Sequence, residues 1–390
     1  MNVKERVARH VQTLPPSGIR KFFDIVSEMD DAISLSVGEP DFPTPWNISE
    51  SAIYAIEHGR THYTSNAGVT ELRELICRYY DERYAVHYAP SECIVTVGAS
   101  EGIDLALRAL IEPGDEVIIP APSYVSYAPG VVLAGGVPIP APTSAENACK
   151  LTPETIRQLA TERTKALILP YPNNPTGAIL ERHELLALAQ EIRKTQMIVI
   201  SDEIYSELTY GKRHVSVASI PGMRERSIVI NGFSKAFSMT GWRMGYLLAP
   251  PELITPMLRI HQYVIMCCST MSQYAGIEAL KSGFEDDFAQ VQKMVREYDR
   301  RRRVLVDGLN AIGLPCFTPE GAFYAFPDIR GTGYTSEEFC KQLLVHKKIA
   351  VVPGNAFGES GEGFVRISYA ASMKNIQIAL ARIDEFIHKR

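Results

Sequence analysis

Residues 92–111 read ECIVTVGASEGIDLALRALI, and the stretch changes periodicity half-way. An apolar run through Val97 predicts a buried strand, Gly98 breaks it, and Ile103, Leu107 and Leu110 then recur at helical spacing. The same form returns along the chain. DEVIIPAPSY (115–124) is a strand running into a loop, and KALILPYPNNPTG (165–177) is a strand ending in a Pro/Asn turn before the helical pattern of ERHELLALAQEIRK. MIVISDEIYSELTYG (197–211) and SIVINGFSK (227–235) are again strands followed by polar loops. Strands alternating with helices predict an α/β fold, a mostly parallel sheet with helices on both faces.

The texture changes near residue 286. VQKMVREYDRRRRVLVDGL (291–309) predicts a long charged helix with its basic residues on the exposed face. FTPEGAFYAFPDI, IAVVPGNAFG and GFVRISYA then predict short strands between Gly/Pro turns, and a last helix starts near Met373. The expected division is a large domain over 45–285 and a smaller α+β domain made of 1–44 and 286–390. Such a split suits 390 residues, too many for one simple core.

Composition is that of an ordinary globular protein, with 46% hydrophobic and 22% charged residues. A net charge of −5 gives no electrostatic reason to expect nucleic acid or an anionic membrane as partner. The seven cysteines include no CxxC pair, which argues against a disulfide framework or a metal site and for free thiols in a reducing compartment. The start, MNVKERVARHVQTLPPSGIRKFF, has no apolar signal core, and the apolar run 128–145 is broken by Pro and Gly. A cytoplasmic protein is expected.

In open parallel sheets, ligands sit beyond the carboxyl ends of the strands. After the first strand come Gly98, Ala99 and Ser100, a helix start that offers amides and a hydroxyl to an anion. Tyr124 follows the second strand, and Asn173 and Asn174 follow the third. Asp202 and Tyr205 follow the fourth, and Ser234, Lys235 and Arg243 the fifth, within NGFSKAFSMTGWRMGY (231–246). Each has a plainer reading. Lys235 and Arg243 could be solvated charges, Asp202 a helix N-cap, Asn174 a turn residue and Tyr124 a core aromatic. Together they fit pyridoxal phosphate (PLP): a lysine for the aldehyde, a carboxylate for the pyridinium nitrogen, and a helix end with an arginine for the phosphate.

SKAFSMTGWRMG resembles the cofactor-attachment signature of class I/II aminotransferases, PLP-dependent enzymes of fold type I. NNPTG (173–177), SDEIY (201–205), SVGEPDFPTP (36–45), HYTSNAG (62–68) and GFVRISYA (363–370) are similar to further elements of that family, in its order. The resemblance implies a homodimer with shared active sites. It also implies that Lys235 carries the cofactor and shuttles the substrate's proton. Asp202 would keep the ring nitrogen protonated, Asn174 and Tyr205 would hold the ring's phenolate oxygen, and Tyr124 would stack on the ring. Ala99, Ser100, Ser234 and Arg243 would hold the phosphate, with Tyr63 of the other subunit. Arg366 would grip the substrate α-carboxylate in a bidentate pair, and Gly38 would close over it.

The implied reaction is a ping-pong transfer of an amino group from an amino acid to a 2-oxo acid. Dicarboxylate-specific members carry a second arginine in the region matching 262–273, which here reads QYVIMCCSTMSQ with no Arg or Lys. Aromatic, alanine-like or other neutral amino acids are therefore the expected donors, with 2-oxoglutarate as an acceptor. SGIRKFFDIV (17–26) resembles bacterial members of the aspartate/aromatic/alanine group, some relatives of which act on N-acetyl-diaminopimelate. Ile19, Phe22 and Phe23 could cover the substrate or only pack on the small domain, and the second is expected. Two other readings compete: a PLP-dependent C–S β-lyase on the same fold, and a non-catalytic sensor module of a transcription regulator.

Overall fold

Residue 92 onward folds as the changing periodicity requires. In the computed structural model, which describes residues 3–12, 14 and 31–388, a buried strand runs directly into the helix Gly98–Leu110. In chain order the strands are β1 (Ile33–Ser34), β2 (Cys93–Thr96), β3 (Glu116–Ala121), β4 (Val137–Pro142), β5 (Thr164–Leu169) and β6 (Ile198–Asp202). They continue with β7 (Ser227–Gly232), β8 (Gly245–Leu248), β9 (Tyr324–Ala325), β10 (Ile349–Ala350), β11 (Val352–Pro353) and β12 (Val365–Ser368). Seven of them form one sheet in the order β2-β8-β7-β6-β5-β3-β4. The pairings among β3 to β7 are parallel.

Alternate residues of these strands feed cores on opposite faces. Val117, Ile119, Ile168, Ile200 and Ile230 pack on one side, while Ile118, Leu167, Leu169 and Val199 pack on the other. Burial on both faces is why the strands read as near-continuous apolar runs.

Three details differ from the sequence reading. The stretch after β7 does not stay a loop but returns as β8, antiparallel to both β7 and β2. No helix follows Asp202; residues 204–207 are turns, and Asp202 Oδ1 instead accepts the Ile204 N–H at 3.2 Å. In the helix Ala289–Ala311 the basic residues are not all exposed. Arg301 turns inward, 7% exposed, and grips Asp41 through two 2.9 Å bonds. An aspartate at the foot of the 36–45 segment makes that burial tolerable.

The antiparallel sheet β11-β12-β9 and the parallel pair β1-β10 lie beside the large sheet. They rest on a core that includes Phe323, Tyr324, Phe339 and Leu343. Their register brings residues 33–36 next to Arg366, which pairs with Val352.

β7 and β8 close the loop 233–244 at a narrow neck where Gly232 pairs with Gly245. A Cβ on Gly245 would lie 2.6 Å from backbone atoms of both Gly98 and Ala99, so no side-chain shift relieves it. Gly241, within the loop, has nothing within 4 Å. Gly245→Ala is therefore expected to destabilise the cofactor-free protein by about 1–3 kcal/mol, read as a lower thermal midpoint, while Gly241→Ala leaves the midpoint unchanged.

Candidate active site

Strand order places one cavity of about 680 Å³ beyond the carboxyl ends of β3, β5, β6 and β7. Loops from both sheets line it. Of the residues singled out above, Gly38, Ala99, Ser100, Tyr124, Asn174, Asp202, Tyr205, Ser234, Lys235, Arg243 and Arg366 all border it. Gly98, Tyr63 and Asn173 do not; Asn173 Oδ1 instead accepts from the Thr176 N–H and hydroxyl.

At one end the helix Gly98–Leu110 points its first turn at the cavity. Its N-cap residue, Val97, has no side-chain oxygen to cap the leading amides, so they are left for another acceptor. Ser100 and the buried Ser234 add hydroxyls. Arg243 lies against the helix start, where a Cβ on Gly98 would come within 2.7 Å of its Nη2. Gly98 thus acts behind the cavity wall, by leaving room for the guanidinium. Arg243 itself has a left-handed φ of 51°, an unusual conformation for a non-glycine residue, and donates to the Thr240 carbonyl at 3.2 Å. Amides, hydroxyls and a guanidinium together make an anion cradle.

In the middle, Asp202 is buried at the end of β6. Burial raises its carboxyl pKa, opposed by a 2.7 Å hydrogen bond from the Tyr127 hydroxyl. Tyr127 escaped the sequence reading; its one signal was its place three residues after Tyr124, and the two rings meet edge-to-face at 5.6 Å.

Lys235 hangs from the loop 233–244, and its Nζ donates to the Gly38 carbonyl at 2.6 Å. The amine also lies 5.7 Å from the centre of the Tyr205 ring. Burial brings its pKa from an ordinary 10.5 down to about 8; Arg366 and Arg243 push the same way, Glu39 and Asp202 the other.

Arg366 lies on β12 and is 2% exposed. It donates to Asn174 Oδ1 at 2.9 Å and to the Ser36 carbonyl at 2.6 Å, while its Nε has no partner. Its guanidinium stacks 4.4 Å from the Tyr324 ring centre. Among the described residues no carboxylate pairs with it, so it is not the structural ion pair that a buried arginine usually needs. Because an arginine only donates, Asn174 must present its oxygen there, leaving its amide hydrogens for another acceptor. The Tyr205 hydroxyl is 2.8 Å from that of Tyr324, the second residue the sequence reading missed. Nothing in the alternation of AFYAF (322–326) distinguishes that tyrosine from a core aromatic.

Tyr63 is 81% exposed and stands away from the cavity; one chain does not bring it to the site. Ile19, Phe22 and Phe23 lie outside the described residues. No group of His, Cys, Asp and Glu suited to a metal occurs among the described residues.

The chain matches the family of aminotransferases class I and II over residues 30–383. It belongs to that family. YugH of Bacillus subtilis is 51% identical, over 97% of this chain and 98% of its own. An aspartate aminotransferase of Pyrococcus abyssi is 45% identical, over 96% of each. The solved aromatic aminotransferase of Pyrococcus horikoshii superposes with a TM-score of 0.90 at 43% identity, covering 95% of this chain and 99% of the other. The protein is thus an aminotransferase with the α/β fold of PLP-dependent transferases, and its family implies PLP as cofactor and amino acids and 2-oxo acids as substrates. Neither the lyase nor the sensor reading is favoured.

A lysine pKa lowered to about 8 has a consequence for stability. Below pH 8 the buried charge carries its full penalty; between 8 and 10.5 the native state sheds the proton while the unfolded chain keeps it, so stability rises with pH. Lys235→Met is expected to stabilise the cofactor-free protein by about 1–3 kcal/mol at pH 7. Urea unfolding at several pH values should show that gain shrinking as pH rises through this window.

Proposed function

We propose that the enzyme moves the amino group of a neutral or aromatic amino acid to a 2-oxo acid, with PLP held on Lys235. The observation that carries this reading is Arg366, a buried guanidinium with one orphaned nitrogen and no carboxylate partner among the described residues. An α-carboxylate from a substrate would supply the missing charge and a bidentate pair of acceptors.

The residues present suit the cofactor. The uncapped helix start, Ala99, Ser100, Ser234 and Arg243 would hold its phosphate, and Tyr124 would stack on its ring. Asp202, oriented by Tyr127, would keep the ring nitrogen protonated. The Asn174 amide and the Tyr205 hydroxyl would donate to the ring's phenolate oxygen. When bound, PLP supplies an aldehyde that takes the amino group and a protonated ring that draws electrons from the substrate's Cα. With a pKa of about 8, the Lys235 amine is suited to take up the Cα proton near neutrality. Gly38, whose carbonyl now holds that amine, closes the cavity beside Arg366.

The substrate preference rests on charge. The cavity's cations are Lys235, Arg243 and Arg366, each already assigned, and Glu39 adds a negative charge. Among the described residues none remains for a second carboxylate, and 262–273 offers none. A homodimer is supported by exposed apolar side chains on one chain: Trp46, Tyr63, Tyr263 and Val264 are all more than half exposed. In it, Tyr63 would reach the phosphate of the other subunit. We place the large unit at 45–285 and the second at 1–44 with 286–390, the latter supported by an apolar core drawn mostly from those residues and joined by Tyr205, Leu208 and Tyr210. Free cysteines, among them the adjacent Cys267 and Cys268, suit a cytoplasmic enzyme of amino acid metabolism.

Mixing the purified protein with PLP and a panel of amino acids tests the reading. The cofactor spectrum should shift to pyridoxamine phosphate with neutral or aromatic donors and return on adding 2-oxo acids. Steady pyruvate release without an acceptor would point to the lyase instead. Arg366→Lys, which keeps the charge but loses the fork, is expected to raise KM for the amino acid about 10- to 100-fold. An unchanged KM would remove Arg366 from the substrate site.

A further inference from the structure

Tyr324 belongs to β9 and is fully buried, yet it borders the cavity and has no role so far. β9 pairs with β12 in a register that sets Tyr324 opposite Ser368. Side chains two residues apart on a strand share a face, so Arg366 is the diagonal neighbour of Tyr324. Two acceptors, Asn174 Oδ1 and the Ser36 carbonyl, hold the edge of the guanidinium. Aromatic rings hold its flat sides: Tyr324 at 4.4 Å and, somewhat farther, Phe357 at 4.9 Å.

The Tyr324 hydroxyl has a different neighbour. It lies 2.8 Å from that of Tyr205, its one hydrogen-bond partner among the described residues. A Cβ on Gly38 would come within 2.7 Å of the same oxygen, so the bare backbone at 38 is what leaves room for it. The ionisable groups facing this hydroxyl are Tyr205, Arg366, Tyr124 and Glu39; burial outweighs the pull of Arg366 and keeps the phenol protonated. A phenol has one proton to donate. If Tyr205 gives its proton to the cofactor's ring oxygen, its own oxygen must accept, and Tyr324 is the donor at hand. A hydroxyl that accepts one hydrogen bond donates more strongly in the next.

We propose that Tyr324 is a positioning residue with two separable parts. Its ring keeps the guanidinium of Arg366 flat, with the fork turned toward a substrate carboxylate. Its hydroxyl donates to the Tyr205 oxygen and so commits the Tyr205 proton to the cofactor's ring oxygen. One side chain thereby serves both the substrate anchor and the charge on the cofactor ring. The inference rests on the reading of Arg366 and Tyr205 given above. Without the Tyr324 hydroxyl, Tyr205 donates less strongly and the ring oxygen keeps more negative charge. A proton shared between that oxygen and the Lys235 nitrogen is then held to higher pH.

The test is a pH titration of the visible absorbance of the PLP-loaded protein, with KM for phenylalanine measured alongside. Tyr324→Phe keeps the ring and drops the hydroxyl. Its midpoint should rise by about 0.3–1 pH unit, with KM within about twofold of wild type. Tyr205→Phe should raise the midpoint at least as far, and adding Tyr324→Phe to it should move the midpoint no further, because one hydroxyl acts through the other. Tyr324→Leu also loses the ring and is expected to raise KM about 3- to 30-fold; should it not fold, Tyr324→Phe still carries both parts. A midpoint that moves in Tyr205→Phe but not in Tyr324→Phe, or that moves again in the double variant, overturns the hydroxyl's part and leaves the site reading intact. A KM raised more than about twofold by Tyr324→Phe overturns the ring's part. A midpoint unmoved by Tyr205→Phe overturns the site reading together with the proposal.

Discussion

Gly232 and Gly245 face each other at a neck too tight for a Cβ on Gly245, with the backbone at the start of the helix Gly98–Leu110 pressed against it. Everything at the site depends on that neck. It joins the last parallel strand to the one reversed strand of the large sheet, and the loop it closes carries both Lys235 and Arg243. Contact with Gly98 and Ala99 fixes that loop against the helix start. The Lys235 amine and the anion cradle are therefore set relative to each other by backbone packing, with no adjustable side chain between them.

Around this fixed frame the protein gathers positive charge that it does not neutralise. Lys235 is buried enough to lose much of its proton affinity, and Arg366 has no carboxylate at all among the described residues. In a structure built only for stability, each would have a counter-ion, as Arg301 has Asp41 and Glu297. Arg301 and Arg366 differ in this respect although both are buried. Two backbone carbonyls, those of Ser36 and Gly38, accept hydrogen bonds from Arg366 and Lys235.

Much of this was legible in the sequence because the strands are buried on both faces. Against apolar runs such as KALIL and SIVI, polar residues at the ends stand out, and the rule for parallel sheets says where they meet. Arg366 was visible for the same reason, a charge inside FVRISY. What stayed hidden involves direction and distance. Four residues of β8 look like any short strand, and nothing local encodes that it runs the other way. The hydroxyls of Tyr127 and Tyr324 sit in apolar surroundings that read as core, and their partners lie far away in the chain. Asp202 looked like an N-cap because an aspartate before a polar turn does so whether or not a helix follows. Tyr63 could never be placed from one chain, since its expected ligand belongs to another.

The central claim is that the groups at five strand ends surround one cofactor attached to Lys235. Reducing the PLP-loaded protein with borohydride, digesting it and sequencing the peptides by mass spectrometry tests that claim most directly. One modified lysine is expected, in the peptide that contains SKAFSMTGWR. A label spread over surface lysines, with Lys235 unmodified, would contradict it.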